Sequence, residues 1–202
     1  ETVQLPTAAR LIDEITGATE GYQERVLEGL KQQVDLRYKE EENGYTLLHV
    51  AAFDRIHGLA FTTSMLDEGR DVNIDAKDHE GRTALYLAAF NGIMPVVKML
   101  VKHDAYLNAL DNRGYSPLHR AVRANHLDVA GYLLKRGAEV DIRTAAGWTP
   151  LHIAANNGYF DMSKLLLEKG ADSAAFTTNE YTPLALALWQ GHGQLGKFIL
   201  EY

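Results

Sequence analysis

A short pattern that returns every 33 residues constrains this chain more than any other feature of it. Gly81-Arg82-Thr83-Ala84-Leu85-Tyr86, Gly114-Tyr115-Ser116-Pro117-Leu118-His119, Gly147-Trp148-Thr149-Pro150-Leu151-His152 and Glu180-Tyr181-Thr182-Pro183-Leu184-Ala185 begin 33 residues apart, and Gly44-Tyr45-Thr46-Leu47-Leu48-His49 precedes the first of these by 37. In each copy the Thr or Ser is placed to cap a helix by accepting an orphan backbone N–H. Pro117, Pro150 and Pro183 occupy the first helical position, where no N–H is missed. The small pairs Ala51-Ala52, Ala88-Ala89 and Ala154-Ala155 let that helix approach a neighbour closely. A second apolar helix follows, with three columns at helical spacing: Val96, Val129, Met162 and Leu195; Met99, Tyr132, Leu165 and Phe198; Leu100, Leu133, Leu166 and Ile199. Gly69, Gly137 and Gly170 then sit where a C-terminal cap needs a left-handed residue, and Asp104 fills that slot in the second copy. One unit is therefore helix, turn, helix and a β-turn or hairpin, and the units stack into an all-α solenoid.

The period and the pattern Thr149-Pro150-Leu151-His152-Ile153-Ala154, near-complete in three other copies, resemble the signature of ankyrin repeats over residues 44 to 202. The expected division is an N-terminal capping repeat at 1–43, then repeats at 44–80, 81–113, 114–146, 147–179 and 180–202. Within 1–43, helices are expected at about Thr7 to Ile15 and Glu20 to Lys31, each with one apolar and one charged face, as the end of an open stack requires. The first full repeat carries extra residues around Arg55-Ile56-His57 and between Asn73 and Gly81. Loops absorb such insertions, and drift is the simpler reading over a partner-specific finger. The fifth copy looks unfinished: Glu180 replaces Gly, Ala185 replaces His, and Leu186, Leu188, Phe198, Ile199 and Leu200 keep the apolarity of an internal repeat. A longer protein or a covering chain is expected there.

Several chemistries are closed by composition. Cysteine is absent, which removes disulfides, thiolate metal sites and cysteine nucleophiles together. Net charge is −7, but ten of the 27 acidic and five of the 20 basic residues fall within the first 43. The body is near neutral and has no Lys/Arg cluster for neutralising phosphates, so no nucleic-acid partner is expected. The apolar runs, such as Leu85 to Phe90, are far shorter than the roughly 18 to 20 residues that cross a bilayer, and no secretory signal opens the sequence. The compartment expected is cytoplasmic or nuclear.

Candidate sites for small ligands fail on context. Gly191-His192-Gly193-Gln194-Leu195-Gly196 has the letters of a dinucleotide fingerprint, but it lies between two helices instead of after a strand. Asp71-Val72-Asn73-Ile74-Asp75 opens like a calcium loop, yet Ala76 stands where Gly makes the turn and Arg82 where a Glu should close it. The resemblance implies that His49, His119 and His152 support their own turns, one per repeat. No catalytic set, metal site or cofactor is expected, and the chain is read as non-enzymatic. Asn73 and Asn108 occupy a position that is hydroxylated in some animal ankyrin repeats; an Asn side chain bonding its own turn is the simpler account.

In ankyrin proteins the partner usually contacts the hairpin tips and inner helices. Here those places carry Tyr45, Arg82, Tyr115, Trp148 and Tyr181 after the motif glycine or its replacement, and Phe53, Phe90, Arg123, Asn156 and Trp189 at the inner-helix ends. Tyr, Trp and Arg dominate binding hot spots because they supply contact area at little rotamer cost. Arg82, Arg113, Arg120 and Arg123, with few acids nearby in sequence, suit a partner segment bearing aromatic and acidic residues. The expected function is a protein-interaction scaffold or adaptor. The alternatives are a target-recruiting domain of a larger enzyme or host-directed bacterial effector, and an ankyrin-type inhibitor of a transcription factor.

Overall fold

The computed structural model describes residues 7–17, 21–32, 34–66 and 70–202, and among these it contains twelve helices and no strand. The chain divides into two compact units, residues 1–106 and 107–202.

The first unit opens with α1 (Ala8–Gly17) and α2 (Tyr22–Leu30), followed by α3 (Leu47–Ala51), α4 (Gly58–Leu66), α5 (Ala84–Asn91) and α6 (Met94–Lys102). Thr7 precedes its helix, and its Oγ1 accepts the Arg10 N–H at 3.3 Å, so it is a cap rather than the first helical residue. The apolar faces expected of α1 and α2 are buried: Leu11, Ile12, Ile15, Val26 and Leu30 all point inward. Each stacks on its successor, α1 against α3 and α2 against α4. Gly69, expected as a helix stop, lies outside the described residues.

The second unit repeats one design three times: α7 (Pro117–Arg123) with α8 (Leu127–Lys135), α9 (Pro150–Asn156) with α10 (Phe160–Glu168), and α11 (Pro183–Trp189) with α12 (Gly193–Glu201). The inner helices α7, α9 and α11 lie side by side. Ser116, Thr149 and Thr182 cap them in extended conformation, each accepting the N–H three residues on. Gly137 and Gly170 stop the outer helices at φ 100° and 87°. In the first unit, Asp104 does the same at φ 63°.

Two of the three outer-helix columns are core as expected, those of Val129 and Leu133. The column of Met99, Tyr132, Leu165 and Phe198 is only half-buried. It lies at the edge of the apolar stripe, where rings meet each other, as Phe160 and Phe198 do with centroids 4.9 Å apart.

Candidate functional site

The motif histidines are the framework on which the exposed residues stand. Nδ1 of His49, His119 and His152 accepts the backbone N–H of Thr46, Ser116 and Thr149, each at 3.1 Å, which closes a capping box with His in place of Glu. Accepting at Nδ1 puts the proton on Nε2, which donates across to the next hairpin: to Arg82 O, Trp148 O and Tyr181 O, each at 3.0 Å. The sequence pattern anticipated a local turn support; the bond into the following repeat is additional. Burial lowers the pKa of all three imidazoles, to about 4 for His119, and the donated bonds to carbonyl oxygen only partly offset this.

Each hairpin is anchored from within by a second column, Asp78, Asp111, Thr144 and Thr177. Asp78 Oδ1 accepts the N–H groups of Glu80 and Arg82, and Asp111 Oδ1 those of Arg113 and Tyr115. Thr144 and Thr177 accept from Trp148 and Tyr181, each at 3.1 Å. This corrects the expectation of arginines with few acids nearby. Arg82 Nε lies 2.6 Å from Asp78, and Arg82 Nη1 lies 3.0 Å from Glu80. Arg120 lies 3.1 Å from Asp111 and 4.4 Å over the Tyr115 ring. The carboxylates are required by the turns, and their remaining oxygens hold the cations. Arg113 and Arg123 are exposed.

The ring row is correspondingly half-buried. Tyr45 stacks on His49 at 5.6 Å, Tyr115 meets His119 edge-on at 5.7 Å, and Trp148 tilts onto His152 at 6.2 Å. These rings cover the imidazoles and are themselves only partly open to solvent. The inner-helix ends are different. In the second unit Arg123 is exposed, Asn156 is half-buried and bonded to Gln190 Nε2 at 3.1 Å, and Trp189 is 69% exposed, with its ring 5.4 Å from that of Tyr181. In the first unit Phe53 and Phe90 are exposed at the ends of α3 and α5.

The extra residues of the first full repeat form an ordered turn. Asp54 Oδ1 accepts the N–H groups of Ile56 and His57, while the Tyr22 hydroxyl donates to Asp54 Oδ2 at 2.5 Å and lies 2.8 Å from His57 Nδ1. Burial, then the bond to Asp54, pushes the Tyr22 phenol up to about 12, so it stays protonated and acts as a donor, not a nucleophile. Burial also raises Asp54, but the three bonds that it accepts outweigh this and hold it low. Beside this turn lies an open groove of about 500 Å³ lined by Ile15, Tyr22, Tyr45, Val50, Phe53 and Ile56, among others. Neither Tyr22 nor the groove was legible in the repeat pattern.

Asn108 does not bond its own turn: its Oδ1 accepts the Glu139 N–H and its Nδ2 donates to the Glu139 carboxylate, both at 3.0 Å. Asp141 accepts the Asp172 N–H at 3.0 Å, and Asp75 the Tyr106 N–H at 2.9 Å. The structural counterpart of Asn108 is thus Asp75, two residues from Asn73. Among the described residues no three metal-capable side chains gather around one point, and no helix is long and apolar enough to cross a membrane.

The family model for ankyrin repeats matches residues 48–144 and 137–202. No curated protein matches the chain.

Proposed function

Because this chain belongs to the ankyrin-repeat family, whose repeats are in general protein–protein interaction modules, we propose that it serves as a scaffold or adaptor that binds a segment of another protein along the inner helices of its second unit. The observation that carries this is the row of inner-helix ends, Arg123, Asn156 and Trp189, on three adjacent helices, with an indole 69% exposed beside Tyr181. An indole held by a neighbouring ring loses little freedom on binding, and an exposed guanidinium takes a carboxylate bidentately. The segment therefore carries an aromatic or large apolar side chain and a carboxylate, spaced to reach Trp189 and Arg123 together. Exposed Arg113 and the half-buried rings of Tyr115, Trp148 and Tyr181 flank this row, and the rings shape the surface more than they anchor it.

In the first unit, Tyr45, Arg82 and Phe90 belong to the same kind of surface. Arg82 donates to the Tyr45 hydroxyl at 3.0 Å and is already paired with carboxylates, so this half favours apolar contact with the groove beside Phe53. Residues 1–43 act as the capping unit on that side.

Selection of a random peptide library on the immobilised chain, with counter-selection on the Arg123→Glu/Trp189→Ala variant, tests this directly. We expect enriched peptides with an aromatic and an acidic residue at fixed spacing. A consensus without acidic residues, or one that binds the variant equally well, contradicts the assignment.

A further inference from the structure

At the ends of α9 and α11 two carboxamides hold each other, with Gln190 Nε2 donating to Asn156 Oδ1 at 3.1 Å. The residues that stand at the position of Gln190 in two other repeats behave differently. Asn91 Nδ2 donates to Leu87 O at 2.9 Å and Asn157 Nδ2 to Ile153 O at 2.7 Å, so each turns back onto its own helix. Gln190 is longer by one methylene and reaches the neighbouring repeat instead. The pair leaves the Asn156 NH2 and the Gln190 C=O without a partner among the described residues. Exchanging O and N in both groups leaves the same two functions, an amide donor beside an amide acceptor.

A donor and an acceptor side by side complement a peptide backbone. In an extended chain the N–H and C=O of one residue point to the same edge, as in the bonded pairs of a β-ladder. In a helix both are already bonded within the helix. The amide pair therefore fits an extended segment and not a helical one.

Its place in the row fits the same segment. The Arg123 guanidinium is exposed on α7 and has no partner among the described residues, and Trp189 is 69% exposed on α11. Asn156 lies between them. The helix ends are spanned by side chains of the following repeats, with the Tyr159 hydroxyl 3.5 Å from Arg123 O and His192 Nε2 3.3 Å from Asn156 O. Packed helices lie roughly 8 to 10 Å apart, so α7 and α11 are separated by roughly 16 to 20 Å. An extended chain rising about 3.3 Å per residue covers this in about six residues, and an even number puts both anchors on the face toward the protein. A helix would need about 11.

We propose that the second unit binds its partner as an extended segment, held by a carboxylate on Arg123, by an aromatic or large apolar side chain on Trp189, and by one backbone N–H and C=O on the amide pair between them. This rests on the binding surface at Arg123 and Trp189, and it adds the segment's conformation, its spacing and a backbone contact. Residue identity at the central position is free, except that proline, which has no N–H, is excluded there.

The probe is a peptide selected from a random library long enough to hold either spacing. Each of its amides in turn is replaced by an ester, which removes the N–H and weakens the carbonyl as an acceptor. Calorimetry then measures affinity for the wild type and for Asn156→Ala/Gln190→Ala at an unchanged urea midpoint. Gln190→Ala, at an exposed side chain, gives the same comparison if the double variant is less stable. We expect one ester between the two anchors to lose at least fivefold on the wild type and less than twofold on the variant. The anchors should lie about six residues apart, with no proline midway. Peptides that need Arg123 and Trp189 but tolerate every ester, an ester loss undiminished in the variant, or anchors about 11 residues apart overturn the proposal and leave the binding surface standing. Peptides that bind Arg123→Glu/Trp189→Ala as well as the wild type overturn both.

Discussion

The two units share one repeat and one joining device, which Gly44 and His49 also supply in the first unit, but the first unit opens with a junction made by different means. In the second, hairpin joins hairpin through glycines that allow backbone contact, and through His119 and His152 reaching from one repeat into the next. In the first, α1 and α2 have no motif, and the join to α3 and α4 is made by apolar packing plus the network of Tyr22, Asp54 and His57. A periodic device can be added repeat after repeat, whereas an idiosyncratic one fits a single junction. The first therefore recurs in the sequence at a fixed spacing, and the second leaves no such trace.

The sharpest way to break this comparison is at the glycines. Gly147→Ala combines left-handed strain with a clash against backbone and should cost about 3 kcal/mol. At Gly44 the closest atom to an added Cβ is the His79 ring carbon at 2.7 Å, which can swing away, although His79 N lies at 3.0 Å. Gly44→Ala should therefore cost less, about 2 kcal/mol. Urea midpoints at unchanged m-value measure both, and equal costs would remove the distinction.

Acid provides the next test. The three imidazoles titrate lower in the folded chain than in the unfolded one, so the unfolded state binds more protons below about pH 6.5. Their stabilisation is complete above that pH and declines as the pH falls, for His119 down to about 4. Each contributes at most about 1.4 kcal/mol per pH unit within its window. Because the second unit holds two of the three, His119→Ala or His152→Ala should flatten the acid slope of the urea midpoint. An unchanged slope would mean that the imidazoles are not held neutral by the fold.

The smallest effect belongs to the first junction. Tyr22→Phe removes one donor to a carboxylate that keeps its two backbone bonds, and should cost about 1 kcal/mol. A cost as large as that of Gly147→Ala would mean that the N-terminal junction rests on this bond rather than on apolar packing.

What was legible in the sequence divides along the same line. The caps, the proline positions, the left-handed stops and two of the three core columns follow from local chemistry repeated in phase, so the sequence alone places the repeat helices. The imidazole's second bond was not legible, because the pattern shows which slot the His occupies but not what its far nitrogen reaches. The carboxylate partners of Arg82 and Arg120 were missed because Asp78 and Asp111 precede the motif by a few residues and look like ordinary turn residues. That same blindness made the ring row look like a free surface, when Tyr45, Tyr115 and Trp148 are partly occupied by covering the imidazoles. Trp189 and Arg123 carry no such duty, which is why the binding proposal rests on them.

The central claim is tested most directly by titrating a library-selected peptide into two variants, Arg123→Ala/Trp189→Ala and Phe90→Ala, by calorimetry. Hot-spot residues at the second unit's inner-helix ends predict at least a tenfold loss of affinity for the first variant and at most a few-fold loss for the second. Unchanged binding to Arg123→Ala/Trp189→Ala, with its urea midpoint at the wild-type value, would contradict the account.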